Sequence, residues 1–170
     1  REVLEFVRTK VEANRKTLVL PAPPIVLEHP PGSKLDAPEG GVAGDGDVAS
    51  TPMYRFYPMA GTNGSDFMNG GFVDLDPASG SFHDWKCRPF TYDGHEGTDS
   101  TLRSFAEQFI GVPVFAARDG VVVFVNDGLP DTNTSGGWLG NLVILDHGDG
   151  FESQYWHLKK DSIPVTLGES

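Results

Sequence analysis

The residues best suited to chemistry are an imidazole and a carboxylate, His95 and Asp99, which are separated by three residues in a glycine-rich stretch. Their ring nitrogen and carboxylate oxygen are both ligands that zinc accepts. In a straight strand the two Cα atoms would lie about 13 Å apart, at about 3.3 Å per residue, so both can bind one ion only if the chain bends. Gly94 and Gly97 permit that bend and disfavour a helix. The stretch is a candidate zinc site, although an isolated pattern of this length is more typical of a polar surface loop.

The chain after Met53 has the composition of an antiparallel β domain. Short apolar or alternating runs are separated by Gly, Asp, Asn and Pro. We predict strands at 112–117, 120–125, 142–146 and 152–157, and a turn at 147–150 between the last two. Leu102, Phe105, Ala106 and Phe109 share one helical face, which predicts one helical insertion within 101–110. We therefore predict a mainly β domain over residues 53–170.

Two further segments precede this domain. Residues 1–17 place Leu4, Val7 and Val11 at helical spacing among charged residues, which predicts a short amphipathic helix. Residues 18–52 are rich in Pro, Gly and Asp, a composition that buries too little apolar surface to order itself, so we predict a linker. Together the two segments are predicted to form a non-globular N-terminal arm.

The composition excludes several classes of function. A formal net charge of -11, with 13 scattered Lys and Arg residues, argues against binding of nucleic acid. A single cysteine, Cys87, excludes an internal disulfide framework. No apolar run is long enough to predict a transmembrane segment. The chain begins without Met and stops where a strand enters a turn, so we expect a fragment of a longer protein.

Four blocks of sequence resemble the lysostaphin/LytM-type zinc endopeptidases. The blocks are G-H-E-G-T-D at 94–99, G-V-P-V-F-A-A-R-D-G-V-V at 111–122, G-N-L-V-I-L-D-H-G at 140–148 and Y-W-H-L at 155–158. The family's patterns run H-x-G-x-D, G-x-x-V-x-A-x-x-G-x-V, G-N-x-V-x-I-x-H and Y-x-H-L in the same order. The resemblance covers the C-terminal half of the chain most specifically and gives residues 1–52 no support.

The resemblance implies a fold, a metal and roles for three residues. It implies an antiparallel β barrel-sandwich, similar to the duplicated-hybrid-motif fold, with zinc bound by His95 and Asp99 and with His157 as an unligated active-site histidine. In the family the third ligand is the second His of a downstream H-x-H, a motif that does not occur in these 170 residues. We therefore expect the remainder of the domain on a missing segment or a second chain. Residues 1–170 alone are expected to be inactive and to bind zinc weakly.

The implied activity is zinc-dependent hydrolysis of peptide cross-links in bacterial peptidoglycan, in the periplasm or outside the cell. The alternative is a catalytically inactive peptidase-like domain that binds peptidoglycan or regulates a partner cell-wall hydrolase. The presence of His95, Asp99 and His157 together favours the enzyme, because a non-catalytic domain has no need of all three.

Other polar residues have simpler interpretations. His147 stands where the family often has a histidine in the turn after a strand, which favours a structural role over ligation. His83 and His29 precede the motif and are weak ligand candidates. Glu96 is expected to be an exposed side chain rather than a general base. The remaining acidic residues of note lack the spacing of a calcium loop and are predicted to lie in solvated turns; they are Asp74, Asp76 and Asp84.

Overall fold

The computed structural model describes residues 2–20, 57–135 and 139–170. In chain order the elements are α1 (Glu2–Arg15), β1 (Met68–Gly71), β2 (Asp99–Thr101), α2 (Phe105–Ile110), β3 (Val121–Asn126), β4 (Leu142–Asp146) and β5 (Glu152–Tyr155). β1 pairs with β2, and β3, β4 and β5 form a second sheet in that order, with antiparallel pairing throughout. The described residues are mainly β with few helices, as predicted, and they form no closed barrel. Most of the predicted linker, at 21–52, and His29 lie outside the described residues.

The three-stranded sheet forms the core because its two longest strands are apolar on both faces. β4 is buried along its whole length, and β3 is buried over its first four residues. Continuous runs of Val, Ile and Leu are typical of strands that are covered on both sides. The second face of the sheet packs against residues that follow β5, namely Leu158, Ile163 and Val165. These strands coincide closely with the predicted strands at 120–125, 142–146 and 152–157.

The N-terminal helix belongs to this core. α1 buries Val7 and Val11 against Val123 and Ile144, both of which have no exposed surface. Asn14 Nδ2 also donates a hydrogen bond to the carbonyl oxygen of Val123, at 2.7 Å. The prediction of a non-globular arm is therefore wrong for α1, because its apolar stripe covers one face of the sheet.

One predicted strand is absent from the structure, and the predicted helix and the last predicted strand are shorter there. Residues 112–117 form no regular strand; Val114 makes only an isolated bridge with Met59, and Pro113 has no N–H to donate to a ladder. The helical insertion begins only after Ser104, whose Oγ accepts a hydrogen bond from the N–H of Glu107. In the part of the chain that the structure describes, no helix has both the length and the apolar character needed to cross a bilayer.

Asp127 joins the loop after β3 to the chain that follows β5. Its carboxylate accepts hydrogen bonds from the backbone N–H groups of Gly128 at 2.7 Å, Asp161 at 2.8 Å and Ile163 at 3.1 Å. Burial on its own would raise the pKa of the Asp127 carboxyl, but the backbone donors outweigh it and hold that pKa below its ordinary value.

We expect Asp127→Asn to reduce the free energy of unfolding at neutral pH but much less at acid pH. Because the folded-state pKa is lowered, the stabilisation is fully present above the unfolded-state pKa of about 3.9 and is lost as the pH falls through the folded-state value. Urea unfolding of the parent and the variant at neutral pH and near pH 3 measures this difference. A difference that stayed constant with pH would show that the carboxylate charge is not its source.

Candidate metal centre

His95 and Asp99 come together at the turn that leads into β2. Asp99 is the first residue of that strand and pairs with Gly71 of β1. The turn before it is closed by a hydrogen bond from the N–H of His95 to the carbonyl oxygen of Tyr92, at 3.0 Å. Gly94, with a φ of 75°, supplies a left-handed conformation in this turn. As a result, Nε2 of His95 lies 3.2 Å from Oδ1 of Asp99.

The ring of His95 is held in one orientation. Its side chain is buried, and Nδ1 lies 2.7 Å from the carbonyl oxygen of Phe72. Because a carbonyl oxygen only accepts, Nδ1 donates, and Nε2 is left as the ring atom that faces Asp99. The ring of Tyr92 stacks on the ring of His95, with centroids 4.3 Å apart. Metal-bound histidines are commonly oriented by such a bond from the second ring nitrogen to a carbonyl oxygen.

The chemistry of this pair fits a zinc ion at two of its ligand positions. Two ligand atoms at about 2.1 Å from a tetrahedral ion lie about 3.4 Å apart, close to the distance in this pair. An unprotonated nitrogen and a carboxylate oxygen that face each other at 3.2 Å repel unless a proton or a cation lies between them. Among the described residues there is no group of three or more His, Cys, Asp or Glu side chains that could hold a metal ion. The pair therefore fits zinc as part of a ligand set.

The absence of a side chain at Gly71 leaves room for the carboxylate of Asp99. A Cβ built on Gly71 would lie 2.6 Å from Oδ2 of Asp99 and 3.1 Å from its Cγ. The first distance is shorter than non-bonded contacts allow and the second is tight, so a side chain at this position displaces the carboxylate. Sequence analysis did not identify Gly71, because its importance depends on a partner strand that lies far along the chain.

We expect Gly71→Ala to weaken zinc binding by about 10- to 100-fold, the range typical of changes next to metal ligands. Gly70→Ala is the matched control, because a Cβ at Gly70 would have no neighbour within 4 Å. Competition with a chromogenic chelator measures the zinc affinity of both variants in the complete protein. Equal affinity in the two variants would contradict the assignment of Asp99 as a ligand.

The acidic residues around the pair differ from the sequence prediction in one case. Asp84 is not in a solvated turn: its side chain has no exposed surface, and it accepts backbone hydrogen bonds from Lys86 and Arg88, both at 2.8 Å. Burial would raise the pKa of Asp84, but these donors and the Arg88 guanidinium lower it. Glu96 is exposed, as predicted, and contacts Arg8 of α1 at 3.1 Å.

His157 lies at a second position, just after β5. It is exposed and has a φ of 59°, a conformation in which histidine is enriched. The neighbouring residue is clamped by Asn141: the N–H of Leu158 donates to the carbonyl oxygen of Asn141 at 2.9 Å, and Nδ2 of Asn141 donates back to the carbonyl oxygen of Leu158 at 3.1 Å. Nδ1 of His157 lies 2.9 Å from the position of a Cβ on Gly140. The sequence blocks at 140–148 and 155–158 are therefore in contact, and Asn141 supports His157.

The structure joins only the first two of the three site residues predicted from sequence. The ring of His157 neighbours that of Trp156, with centroids 6.4 Å apart, and makes no hydrogen bond to His95 or Asp99. The roles of all three residues stay predictions.

The other histidines occupy different surroundings. His147 is 3% exposed, with Nδ1 2.7 Å from the carbonyl oxygen of Asp119 and Nε2 3.1 Å from Oγ of Ser153. Those contacts join the ends of neighbouring strands and support the structural role that the sequence indicates. Nδ1 of His83 lies 3.6 Å from Oδ2 of Asp76.

An open cavity of about 360 Å³ lies beside Asp99. Its lining includes Gly70 and Gly71 of β1, Phe90, Tyr92 and Asp99. The lining therefore combines aromatic residues with a carboxylate.

The C-terminal part of the chain is similar to a known peptidase family. The sequence model of peptidase family M23 matches residues 94–170. The matched segment begins at the glycine before His95 and contains Asp99 and His157. No curated protein and no solved structure matches the chain.

Proposed function

We propose, from the match between the model of peptidase family M23 and residues 94–170, that this chain carries part of the active site of a zinc-dependent endopeptidase. The family indicates a peptidase-like function. The proposal of a zinc site rests on the 3.2 Å distance between Nε2 of His95 and Oδ1 of Asp99. The other ring nitrogen, Nδ1, is hydrogen-bonded to the carbonyl oxygen of Phe72. Two adjacent ligand atoms and an acceptor that orients the ring form part of the arrangement found in zinc sites.

Different residues of the chain would bind the metal, orient its ligands and transfer a proton. His95 and Asp99 would hold the ion, and the carbonyl oxygen of Phe72 keeps the proton of His95 on Nδ1. The chemistry that zinc supplies when bound is Lewis acidity, which brings the pKa of bound water to about 7 and polarises a scissile carbonyl. His157 is exposed and turns Nδ1 towards Gly140, so its Nε2 is the atom that would exchange a proton with substrate or donate to an oxyanion.

The substrate that we propose is a peptide cross-link of bacterial peptidoglycan, which assigns the protein to the cell envelope, periplasmic or extracellular. Support comes from the resemblance of four sequence blocks to the lysostaphin/LytM-type enzymes. We assign the third ligand to the family's H-x-H motif, on a segment or chain outside these 170 residues.

The test is the zinc content of the complete protein as purified, measured by mass spectrometry of the metal. We expect about one zinc per site in the parent, loss of zinc in His95→Ala, and no loss in His83→Ala, which removes a histidine away from the pair. Equal zinc in the parent and His95→Ala would sink the ligand assignment.

The appearance of new free amino groups in purified peptidoglycan distinguishes the enzyme from the binding domain, because each hydrolysed peptide bond yields one amine and one carboxylate. Hydrolysis that disappears in His95→Ala supports the endopeptidase. Zinc binding and peptidoglycan binding without hydrolysis would favour the inactive domain that binds peptidoglycan or regulates a partner hydrolase.

A further inference from the structure

We propose that Asp74 is a positioning residue for the metal pair, which holds the His95 turn in the bend that brings Nε2 to Asp99. This inference rests on the proposed function, because it takes His95 and Asp99 as metal ligands. Asp74 lies in the chain that continues from β1, and from sequence it is predicted to be an ordinary carboxylate of a solvated turn.

Asp74 contacts the His95 turn through both its side chain and its backbone. Oδ2 of Asp74 accepts a hydrogen bond from the N–H of Gly94 at 2.9 Å. The N–H of Asp74 donates to the carbonyl oxygen of His95 at 2.8 Å. The first contact holds Gly94 and the second holds His95 itself. The turn therefore cannot shift without breaking one of these two hydrogen bonds.

The other carboxylate oxygen of Asp74 accepts hydrogen bonds that fix the orientation of the carboxylate. Oδ1 accepts hydrogen bonds from the N–H groups of Asp76 at 3.0 Å and His83 at 3.1 Å. Three donors from three places in the chain therefore surround one carboxylate. A side chain held in this way keeps Oδ2 aimed at Gly94, which is the support that a precisely placed ligand needs.

One short segment thereby positions both ligands. Its first residue, Gly71, pairs with Asp99 and leaves room for that carboxylate. Phe72 receives the hydrogen bond from Nδ1 of His95, and Asp74 holds the backbone on both sides of the ring. The distance between Nε2 and Oδ1 is therefore set by the spacing within residues 71–74, and Asp74 is the only side chain of this segment that bonds to the His95 turn.

The competing interpretation is that Asp74 merely stabilises a loop. Asp127 provides the matched comparison, because its carboxylate also accepts hydrogen bonds from three backbone N–H groups, and these belong to loops that do not contact His95. In each residue, Asp→Asn replaces one accepting oxygen by an NH₂ group that cannot accept from an N–H. A purely structural role predicts the same consequences for both substitutions.

The experiment compares Asp74→Asn with Asp127→Asn in the complete protein, by thermal unfolding, by NMR of hydrogen exchange at Nδ1 of His95 without metal, and by zinc competition. We expect both variants to lose stability. Only Asp74→Asn should speed exchange of the Nδ1–H of His95, because the ring is then held less firmly against the carbonyl oxygen of Phe72, and should weaken zinc binding by about 10- to 100-fold.

The proposal is overturned if Asp74→Asn leaves the exchange rate of the His95 Nδ1–H and the zinc affinity as they are in Asp127→Asn. If Asp74→Asn does not fold, Asp74→Glu decides, because it retains the charge but moves the carboxylate by one methylene; an unchanged exchange rate there also overturns it. A parent protein that binds no zinc, together with faster exchange of the Nδ1–H in Asp74→Asn, supports the positioning role and refutes the proposed zinc enzyme. The two failures are thus distinguishable.

Discussion

Replacing Arg15 by methionine is expected to lower the free energy of unfolding by about 3 kcal/mol, because it leaves a buried carboxylate without its cation. Asp146 is only 5% exposed, and its Oδ2 accepts a hydrogen bond from Nε of Arg15 at 2.6 Å. The same guanidinium contacts Glu152 at 2.7 Å and so joins α1 to two strands. Methionine retains most of the apolar stem of Arg15 that covers the sheet. The loss of unfolding free energy therefore measures mainly the missing ion pairs.

Arg8→Met is the control within the same helix. Arg8 pairs with Glu96, but both side chains are 62% exposed, so the loss there is expected to stay below about 1 kcal/mol. Denaturant unfolding of the parent and both variants measures the difference. Equal losses would mean that α1 contributes through apolar packing alone.

The docking of α1 also means that the helix belongs with the β domain in an experiment, although the domain predicted from sequence begins at residue 53. A protein trimmed to residues 53–170, the domain predicted from sequence, lacks Val7 and Val11 and exposes the face of the sheet at Val123 and Ile144. Exposed apolar surface of this kind promotes association and unfolding. Residues 2–15 therefore belong in any preparation used to measure zinc binding.

Replacing His157 by glutamine is expected to reduce kcat on a peptidoglycan peptide by about 100- to 10,000-fold while zinc content stays unchanged. Glutamine can donate hydrogen bonds but cannot take up a proton at neutral pH. The ring is exposed and does not bond to His95 or Asp99, so its loss should leave those two residues in place. The measurement is kcat together with zinc content, each per folded molecule of the complete protein.

His147→Gln is the contrasting variant. Its ring lies between the carbonyl oxygen of Asp119 and Oγ of Ser153, so we expect a loss of about 1–3 kcal/mol in stability but no change in kcat per folded molecule. Loss of zinc in His157→Gln would identify that residue as a ligand instead. An unchanged kcat there would refute its catalytic role.

Features with local causes were predictable from the amino-acid sequence. The spacing of Val7 and Val11 predicted the N-terminal helix, and continuous apolar runs predicted β3 and β4. The glycines around His95 predicted the bend that the structure contains. Ordered sequence blocks pointed to the peptidase family that matches residues 94–170. In each case the relevant residues lie within a few positions of one another, or their order along the chain is itself the signal.

Features that depend on which distant segments meet were decided only by the tertiary structure. The burial of α1 depends on β3, and the pair formed by Arg15 and Asp146 joins residues 131 positions apart. Gly71 matters because Asp99 lies across the β1–β2 pair, and Asp74 matters because Gly94 folds back onto it. No local pattern encodes such contacts, since their free energy comes from burial and hydrogen bonding that exist only once the segments pack together. The sequence by itself therefore determined which two residues are the candidate ligands, and the fold determined how their 3.2 Å separation is held.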